Sequence, residues 1–289
     1  MKTRMTSADI AVETACLRAM GCIGMRVANV YDINAKTYLI KLSRSGGETG
    51  ESQKVLLLLE SAVRFHSTQF ARDKSSMPSN FTVKLRKHLR SRRLESVQQL
   101  GLDRVVDFTF GSGDAAYHLI LELYSSGNVI LTDCNYNILT LLRSYKDETK
   151  GVATMANHPY PIEGVKEPTT CDRATLEAAL RAAAAEPTEK GPKTLKQAVG
   201  SALAYGPSIV EHCILSAGLK PSAGVEPSLL PPQSDLMLDA LCKAVAELED
   251  WLQVKRLPRL PHGCCPILLE SASSADQFGV KNDYLDLVQ

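Results

Sequence analysis

The chain has 289 residues, 44% of them hydrophobic and 22% charged, with a formal net charge of +1. This length and composition allow a sizeable core in two domains, and the small net charge excludes a protein that is basic throughout, so a nucleic-acid surface has to be a local patch. The eight cysteines contain no C-x-x-C pair, which argues against a zinc ribbon. In a chain of this length without a secretory signal, reduced thiols in a cytosolic protein are the simpler interpretation.

The N-terminal half alternates helical and strand-like patterns. A helix capped by Thr6 or Ser7 should end before Gly21, and because Asp9 and Glu13 lie within its apolar pattern it is not a secretory signal. Apolar and β-branched runs predict strands over residues 25–30, 37–42, 54–59, 63–66, 104–110, 117–123, 128–132 and 138–143, with a mobile loop over 43–52. Because their connections are short, most of these strands should be antiparallel. We therefore predict an α+β domain over residues 1–148, an antiparallel β-sandwich with flanking helices.

Residues 77–110 carry the most informative pattern. A helix should start at residues 78–80 and place Phe81, Leu85 and Leu89 on one face. Six cations follow on its other side and towards its end: Lys84, Arg86, Lys87, Arg90, Arg92 and Arg93. No acidic residue lies among them, whereas soluble helices usually mix the two signs. The pattern favours contact with a polyanion such as RNA; a merely solvated helix face is the alternative.

The cationic helix is predicted to reach residue 94, followed by a polar joint over 95–99 and a break at Gly101. Asp103 and Arg104 then open a strand, either as a structural pair in which Arg104 binds a neighbouring acid or as part of a functional site. The sequence has no phosphate-binding glycine loop, no dinucleotide fingerprint and no nucleophile elbow. The histidines lack metal-ligand spacing, and His118 should be packed or hydrogen-bonded within its strand. We therefore expect no metal and no cofactor.

The composition changes after Tyr145. The linker pattern covers residues 146–168. As regions of the chain we predict a linker with an Ala-rich helix over 149–192, an all-α domain over 193–255 and an extension over 256–289. The helical patterns cover residues 172–185, 193–204, 207–217 and 234–254. Tyr205, Gly206 and Pro207 form a tight hinge that can present a helix N-terminus to a phosphate; plain helix packing is the alternative.

Several motifs of the chain resemble those of one family. The matching segments are residues 25–32, 36–40, 77–81, 86–89, 91–94, 99–104, 115–120 and 127–133. Together they are similar to the NFACT-N domain, and residues 205–213 resemble the helix–hairpin–helix segment that follows it in that family. The resemblance covers residues 1–145 densely and 193–219 clearly. It points to the eukaryotic, NEMF-like branch.

The resemblance implies a non-enzymatic factor of ribosome-associated quality control. Such a factor binds tRNA and the RNA and proteins of a large ribosomal subunit obstructed by peptidyl-tRNA, supports C-terminal tailing of the stalled chain, and helps recruit the E3 ligase Listerin. The counterparts of residues linked to tailing are Asp9, Asp103 and Arg104. A cytoplasmic location, with the nucleus as a second one, and no membrane contact are also implied. The family's coiled coils and its NFACT-R domain are missing, so we expect a fragment with reduced Listerin contact.

The N-terminal region of this family also resembles the formamidopyrimidine-DNA glycosylases, in which a β-sandwich precedes a helical DNA-binding domain. Those enzymes use an N-terminal proline as nucleophile, but here position 2 is Lys2 and the first proline is Pro78. The scaffold is therefore expected without the base-excision chemistry. Two alternatives stay open: a nucleic-acid-modifying enzyme with Asp9 and Asp103 as its acid/base pair, and a protein-interaction scaffold that binds no RNA.

Overall fold

The computed structural model describes residues 4–46, 52–70, 72–75, 77–101, 103–147, 152–162, 171–185, 192–203, 206–225, 230–231 and 235–252. Its first part contains the helices α1 (Ser7–Ala19) and α2 (Asn80–Leu89) and eleven strands. The strands are β1 (Arg26–Asp32), β2 (Thr37–Arg44), β3 (Gln53–Glu60), β4 (Arg64–Thr68), β5 (Leu94–Gln99), β6 (Val105–Phe110), β7 (Tyr117–Glu122), β8 (Asn128–Asp133), β9 (Ile138–Leu141), β10 (Tyr145–Asp147) and β11 (Val152–Thr154). Four helices follow: α3 (Arg173–Ala185), α4 (Leu195–Ala202), α5 (Pro207–Ser216) and α6 (Leu236–Leu252).

Nine of these eleven strands form two antiparallel sheets that share a hydrophobic core. Strands β1–β4 make a four-stranded sheet and β5–β9 a five-stranded one, each with its strands in sequence order. Alternate residues of both sheets enter one cluster of buried side chains, because successive residues of a strand point to opposite faces. Phe65 of β4 and Phe108 of β6 meet edge to face there, with ring centroids 5.6 Å apart. The predicted combination of antiparallel sheets and helices is confirmed.

The later helices have a hydrophobic core of their own. Its members come from α3, α4, α5 and α6, and they include Leu180, Val199, Ile214 and Leu241. Ala8, in the first turn of α1, also packs against this cluster, and α1 contacts α6. The N-terminus of α1 therefore lies where the helical part meets the sheets.

The cationic helix is shorter than predicted. It ends at Leu89 with Arg90 as its C-cap, and Ser91 then adopts a positive φ of 65°, which turns the chain away from the helix axis. Arg92 and Arg93 lie in this connection, so they are not on the helix. The predicted polar joint over 95–99 is wrong, because these residues belong to β5.

Two predictions for the loops also need correction. Strand β2 continues to Arg44, inside the predicted loop over 43–52, of which residues 47–51 lie outside the described part. The predicted linker over 146–168 contains the hairpin of β10 and β11. Tyr160, within the same predicted linker, is buried against the outer face of the five-stranded sheet. The extension over 256–289 lies outside the described residues, and the domain boundaries stay a prediction.

No helix within the described ranges is both long enough and apolar enough to cross a membrane.

Candidate nucleic-acid interface

The start of α2 is held in place by a carboxylate from the neighbouring sheet. Asp32, only 7% exposed, accepts hydrogen bonds from the backbone N–H of Ser79 at 2.9 Å and from the Ser79 hydroxyl at 2.7 Å. The Thr82 hydroxyl donates to the same carboxylate. Ser79 is also the N-cap, because its hydroxyl accepts from the Thr82 N–H. A negative charge at a helix N-terminus is stabilising, so Asp32 fixes where the cationic helix begins.

The cationic surface consists of the six predicted side chains, Lys84, Arg86, Lys87, Arg90, Arg92 and Arg93. Leu85 and Leu89 bury the opposite face of α2 in the core, as predicted. Arg86 and Arg92 are half-buried, and the other four cations are exposed. Among the residues that the structure describes, none of the six forms an ion pair with a carboxylate. The surface therefore presents unneutralised positive charge.

The two half-buried arginines are fixed by contacts within the chain. The Nε of Arg86 donates to the Val30 carbonyl at 2.7 Å, and its guanidinium lies 5.7 Å from the ring centre of Tyr31. The guanidinium of Arg92 lies 5.2 Å from the ring centre of Tyr117. Such contacts restrict a long side chain before any ligand arrives, which lowers the entropy that binding would cost.

His88 lies among these cations, and it stays mostly neutral near pH 7. Its ring packs edge to face against Tyr117, with centroids 5.0 Å apart. Partial burial lowers the pKa of His88, and the charges of Lys87 and Arg92 lower it further. The positive field of the surface therefore comes from lysine and arginine, and it should change little between neutral and alkaline pH.

The turn before β6 carries the predicted Asp103–Arg104 pair. The Arg104 N–H donates to the Asp103 carboxylate at 2.7 Å, so the acid closes the turn locally. Asp103 is exposed and Arg104 is half-buried. Within the described residues Arg104 makes no ion pair, which removes the simplest structural explanation for its presence.

Asp9 closes a capping box at the start of α1. Its carboxylate accepts from the Thr6 N–H at 2.6 Å and from the Thr6 hydroxyl at 2.7 Å, while the Asp9 N–H donates to the same hydroxyl at 3.3 Å. This arrangement satisfies backbone donors that a helix start leaves free. Asp9 therefore has a structural role in addition to any functional one.

Gln99 connects these two predicted sites, and sequence reasoning missed it. Its side-chain amide donates to the Ser7 hydroxyl at 2.9 Å, to the Ser7 carbonyl at 3.2 Å and to the Asp103 carbonyl at 2.9 Å. The first turn of α1, which includes Asp9, and the Asp103 turn thus meet at one amide group. A polar residue two positions before Gly101 was the only signal in the sequence.

A buried acid lies behind the Asp103 turn. Glu122 is 2% exposed and accepts hydrogen bonds from the hydroxyls of Tyr160 at 3.1 Å and Tyr145 at 3.4 Å. It pairs across the sheet with Val105, the first residue of β6. Burial raises the pKa of Glu122, and the nearby charge of Asp103 acts in the same direction. Sequence reasoning did not select this residue.

His118 has the hydrogen-bonded role that its strand position predicted. Its Nδ1 lies 2.9 Å from a carboxylate oxygen of Asp107, which also accepts from the Tyr136 hydroxyl at 2.9 Å. The rings of His118 and Tyr136 stack with centroids 4.2 Å apart. The cluster ties the β8–β9 hairpin to the middle of the sheet. Among the described residues, no His, Cys, Asp or Glu group is arranged to hold a metal ion.

The predicted hinge lies in the helical part. Gly206 is the N-cap of α5 and Pro207 is its first residue, whereas Tyr205 lies outside the described residues. A surface recess of about 350 Å³ lies between α4 and α5 and includes both residues in its lining. Lys196, at its edge, forms an ion pair with Glu211, so its positive charge is already balanced within the chain.

Comparison with protein families gives one match over most of the chain. A family described as NFACT N-terminal and middle domains matches residues 17–226. A mouse protein named ribosome quality control complex subunit NEMF is 44% identical over 255 residues, which are 88% of this chain and 22% of that protein. The NEMF homolog of Drosophila melanogaster is 45% identical over 76% of this chain and 21% of its own length. The chain spans about a fifth of the length of these curated relatives.

Solved structures share the fold at low sequence identity. A fibrinogen-binding protein from Staphylococcus aureus superposes with a TM-score of 0.57 at 17% identity, over 88% of this chain and 84% of that one. The N-terminal part of a fibronectin/fibrinogen-binding protein from Streptococcus suis gives a TM-score of 0.56 at 16% identity, over 94% and 99%. At these identities the similarity concerns the fold alone.

Proposed function

The chain belongs to the NFACT family, whose N-terminal and middle domains it matches, and on that premise we propose that it acts as an RNA-binding factor in ribosome-associated quality control. Its ligands would be tRNA and a large ribosomal subunit obstructed by peptidyl-tRNA. The observation that carries this proposal is the cationic surface, whose six lysine and arginine side chains have no ion-pair partner among the described residues. The chain is also 44% identical, over 255 residues, to a protein named for ribosome quality control.

Contacts between the cationic surface and RNA phosphates would supply affinity that does not depend on the base sequence of the RNA. Each contact with an RNA phosphate releases bound counterions, so binding weakens steeply as salt rises. Lys84, Lys87, Arg90 and Arg93 are exposed for such contacts, and Arg86 and Arg92 add guanidinium groups that are already oriented. Selectivity for particular bases has to come from another place on the surface.

We assign that selective role to the Asp103 turn together with the start of α1. The Arg104 guanidinium lacks a carboxylate partner within the described part of the chain, and Gln99 joins Asp103 to the helix turn that includes Asp9. An arginine fork can bind a phosphate or the edge of a guanine. In the longer proteins of the family, this site would support tailing of the stalled nascent chain.

The remaining parts of the proposal concern architecture and partners. The two sheets and the later helices would correspond to a glycosylase-like β-sandwich and a helix–hairpin–helix domain, whose Gly206–Pro207 helix start faces a ligand. The factor is non-catalytic and cytoplasmic, with the nucleus as a second location. Recruitment of Listerin would depend mainly on regions other than the one described here.

The test compares two double charge reversals of equal size. Lys84→Glu with Lys87→Glu alters the cationic surface, whereas Lys54→Glu with Lys243→Glu alters exposed lysines on β3 and α6. We expect the first variant to bind tRNA more weakly and to lose roughly 0.7–0.9 of the log–log salt slope for each lost contact. The control variant should keep the wild-type slope.

Two outcomes would contradict the proposal. If wild-type protein shows no salt-dependent tRNA binding, the chain is better explained as a protein-interaction scaffold. If the pure protein releases bases from damaged DNA or cleaves tRNA, the enzymatic alternative with Asp9 and Asp103 as acid/base pair replaces it.

A further inference from the structure

A concave site next to the cationic helix is lined by four arginines. Arg26 from β1 and Arg90, Arg92 and Arg93 from the connection after α2 surround a recess of about 510 Å³, which we call the arginine pocket. Glu95 is the only acidic residue in its lining. Arg26 lies more than sixty residues before the other three, so the pocket exists only because β1 pairs with the segment before β5.

The pocket keeps like charges next to each other. Arg26 and Arg93 are direct partners in an antiparallel bridge, where two side chains of the same charge destabilise the pairing. Within the described residues, neither of them nor Arg90 or Arg92 has an ion pair that would offset this repulsion. An anion bound between the two strands would remove an unfavourable interaction that the free protein retains.

Two of the four arginines are also fixed in orientation. Arg26 donates from Nη1 to the Ser91 carbonyl at 2.7 Å, which holds its guanidinium over the connection. Arg92 lies against the Tyr117 ring on one side and close to Gly111 on the other. A Cβ at position 111, where φ is +79°, would come within 3.4 Å of the Arg92 Cδ and 3.0 Å of the Ala115 carbonyl. The glycine therefore leaves the room that this arginine occupies.

The residue type identifies the class of ligand. A guanidinium presents planar paired donors that match phosphate oxygens, whereas a lysine ammonium acts as a compact point charge. All four cations in the recess are arginines, while the lysines Lys84 and Lys87 stand on the helix outside it. Four arginines lining one recess exceed what one phosphodiester needs, but their number matches two phosphates that a bend in an RNA backbone brings together.

We propose that the arginine pocket binds two neighbouring phosphates at a bend in the backbone of a folded RNA. The proposal rests on the RNA-binding function proposed above and makes it more specific. The helix lysines supply general attraction to any strand, and the pocket discriminates a folded backbone from an extended one. Arg26 thereby becomes an RNA-binding residue, although it lies outside the cationic segment.

The test removes two charges either inside or outside the pocket. Arg26→Gln with Arg93→Gln removes both positive charges of the cross-strand pair. Lys84→Gln with Lys87→Gln removes two positive charges outside the pocket and is the matched control. We expect the pocket variant to bind tRNA at least tenfold more weakly, since the loss of even one charge-assisted contact implies about that much, and the control to lose less. On an unstructured single strand of equal length, the two variants should lose the same amount.

Pyrophosphate provides a second measurement that needs no RNA. It should raise the melting temperature of the wild type and leave that of Arg26→Gln with Arg93→Gln unchanged. Without ligand, Arg93→Gln alone, which keeps the hydrogen bond between Arg26 and Ser91, should melt higher than the wild type, because the cross-strand repulsion is gone. Arg26→Lys with Arg93→Lys keeps the charge and loses the planar forks, so it should bind pyrophosphate more weakly than the wild type.

The outcomes separate this inference from the broader function. If tRNA binds the wild type and both double variants lose affinity equally on folded and unstructured RNA, the pocket has no special role and the RNA-binding function stands. If tRNA does not bind at all, the broader function fails, and the pyrophosphate series still decides whether the pocket takes phosphates. A pocket variant that melts lower than the wild type and still responds to pyrophosphate overturns the inference.

Discussion

Glu13 is a half-buried acid on α1, at the side that contacts β4. Removal from water raises its pKa from 4.5 to about 7, although a backbone hydrogen bond at Ser67 acts in the opposite direction. Because the folded pKa lies above the unfolded one, the protein gains stability from this site below pH 4.5 and loses it as the pH rises through 7. The full effect is at most about 3 kcal/mol.

Replacing this acid by its neutral isostere should therefore stabilise the protein in a pH-dependent way. We expect Glu13→Gln to melt like the wild type near pH 4 and higher than the wild type at pH 8, with the difference growing between about pH 4.5 and 7. Thermal unfolding followed across this range measures it. Glu247→Gln, at an exposed position of α6, is the control and should show no such growth. A difference that is constant with pH would contradict the assignment.

Whether a residue of the site could be predicted from the sequence depends on how far away along the chain its contact partners lie. Spacing and sign alone selected Lys84, Lys87 and the other cations of the helix segment. Arg26 and Gln99 were not predictable in this way, because their contacts with Ser91 and Ser7 span 65 and 92 residues. A single sequence contains no direct signal for such pairs.

At the scale of elements, α2 depends on its connection to β1. Asp32 accepts three hydrogen bonds at the helix start, two of them from Ser79 and one from Thr82. In Asp32→Asn the negative charge is lost, and the amide NH2 has to face another donor, either the Ser79 N–H or the two hydroxyls that share one carboxylate oxygen. We expect a loss of about 1–3 kcal/mol in the free energy of unfolding, measured by urea denaturation.

The control for this prediction is an exposed acid in the segment before the helix. Asp73→Asn removes the same charge from an exposed side chain, and it should change stability by less than about 0.5 kcal/mol. Equal effects of the two substitutions would show that net charge, and not the cap of α2, is responsible.

That β5, in the five-stranded sheet, was not predicted also has an explanation at this scale. The buried residues of β5 are Leu94 and Val97, three positions apart, whereas a regular strand buries every second residue. The pairing of β5 with β6 shifts between Leu94 and Ser96, so a bulge accounts for the extra residue. The other strands of the two sheets lack this combination of a polar sequence with an early bulge, and their patterns predicted them.

At the scale of the whole molecule, the two sheets also meet at a pair of turns. Gly127, in the β7–β8 turn with φ of +65°, approaches Ala62 in the β3–β4 turn so closely that a Cβ would lie 2.6 Å from the Ala62 Cα. The Ala62 N–H donates to the Glu122 carbonyl at 3.2 Å, which joins the same two turns. Neither turn can move away without breaking this contact between the sheets.

We therefore expect Gly127→Ala to destabilise the protein by about 3 kcal/mol or more, because it combines backbone strain with a backbone clash. Gly113→Ala is a matched control, since its φ is +59° and no atom lies within 4 Å of the added Cβ. The control should lose only the strain of the left-handed conformation, about 1–2 kcal/mol. Urea unfolding of both variants measures the difference, and similar losses would mean that the turns separate easily.

The first turn of α1 contacts both the sheet part of the molecule and its helical part. Ser7 bonds to Gln99, Ala8 packs into the helical core, and Asp9 closes the cap that keeps all three in register. A displacement of the helices relative to the sheets therefore has to carry this turn along or break the hydrogen bonds between Ser7 and Gln99.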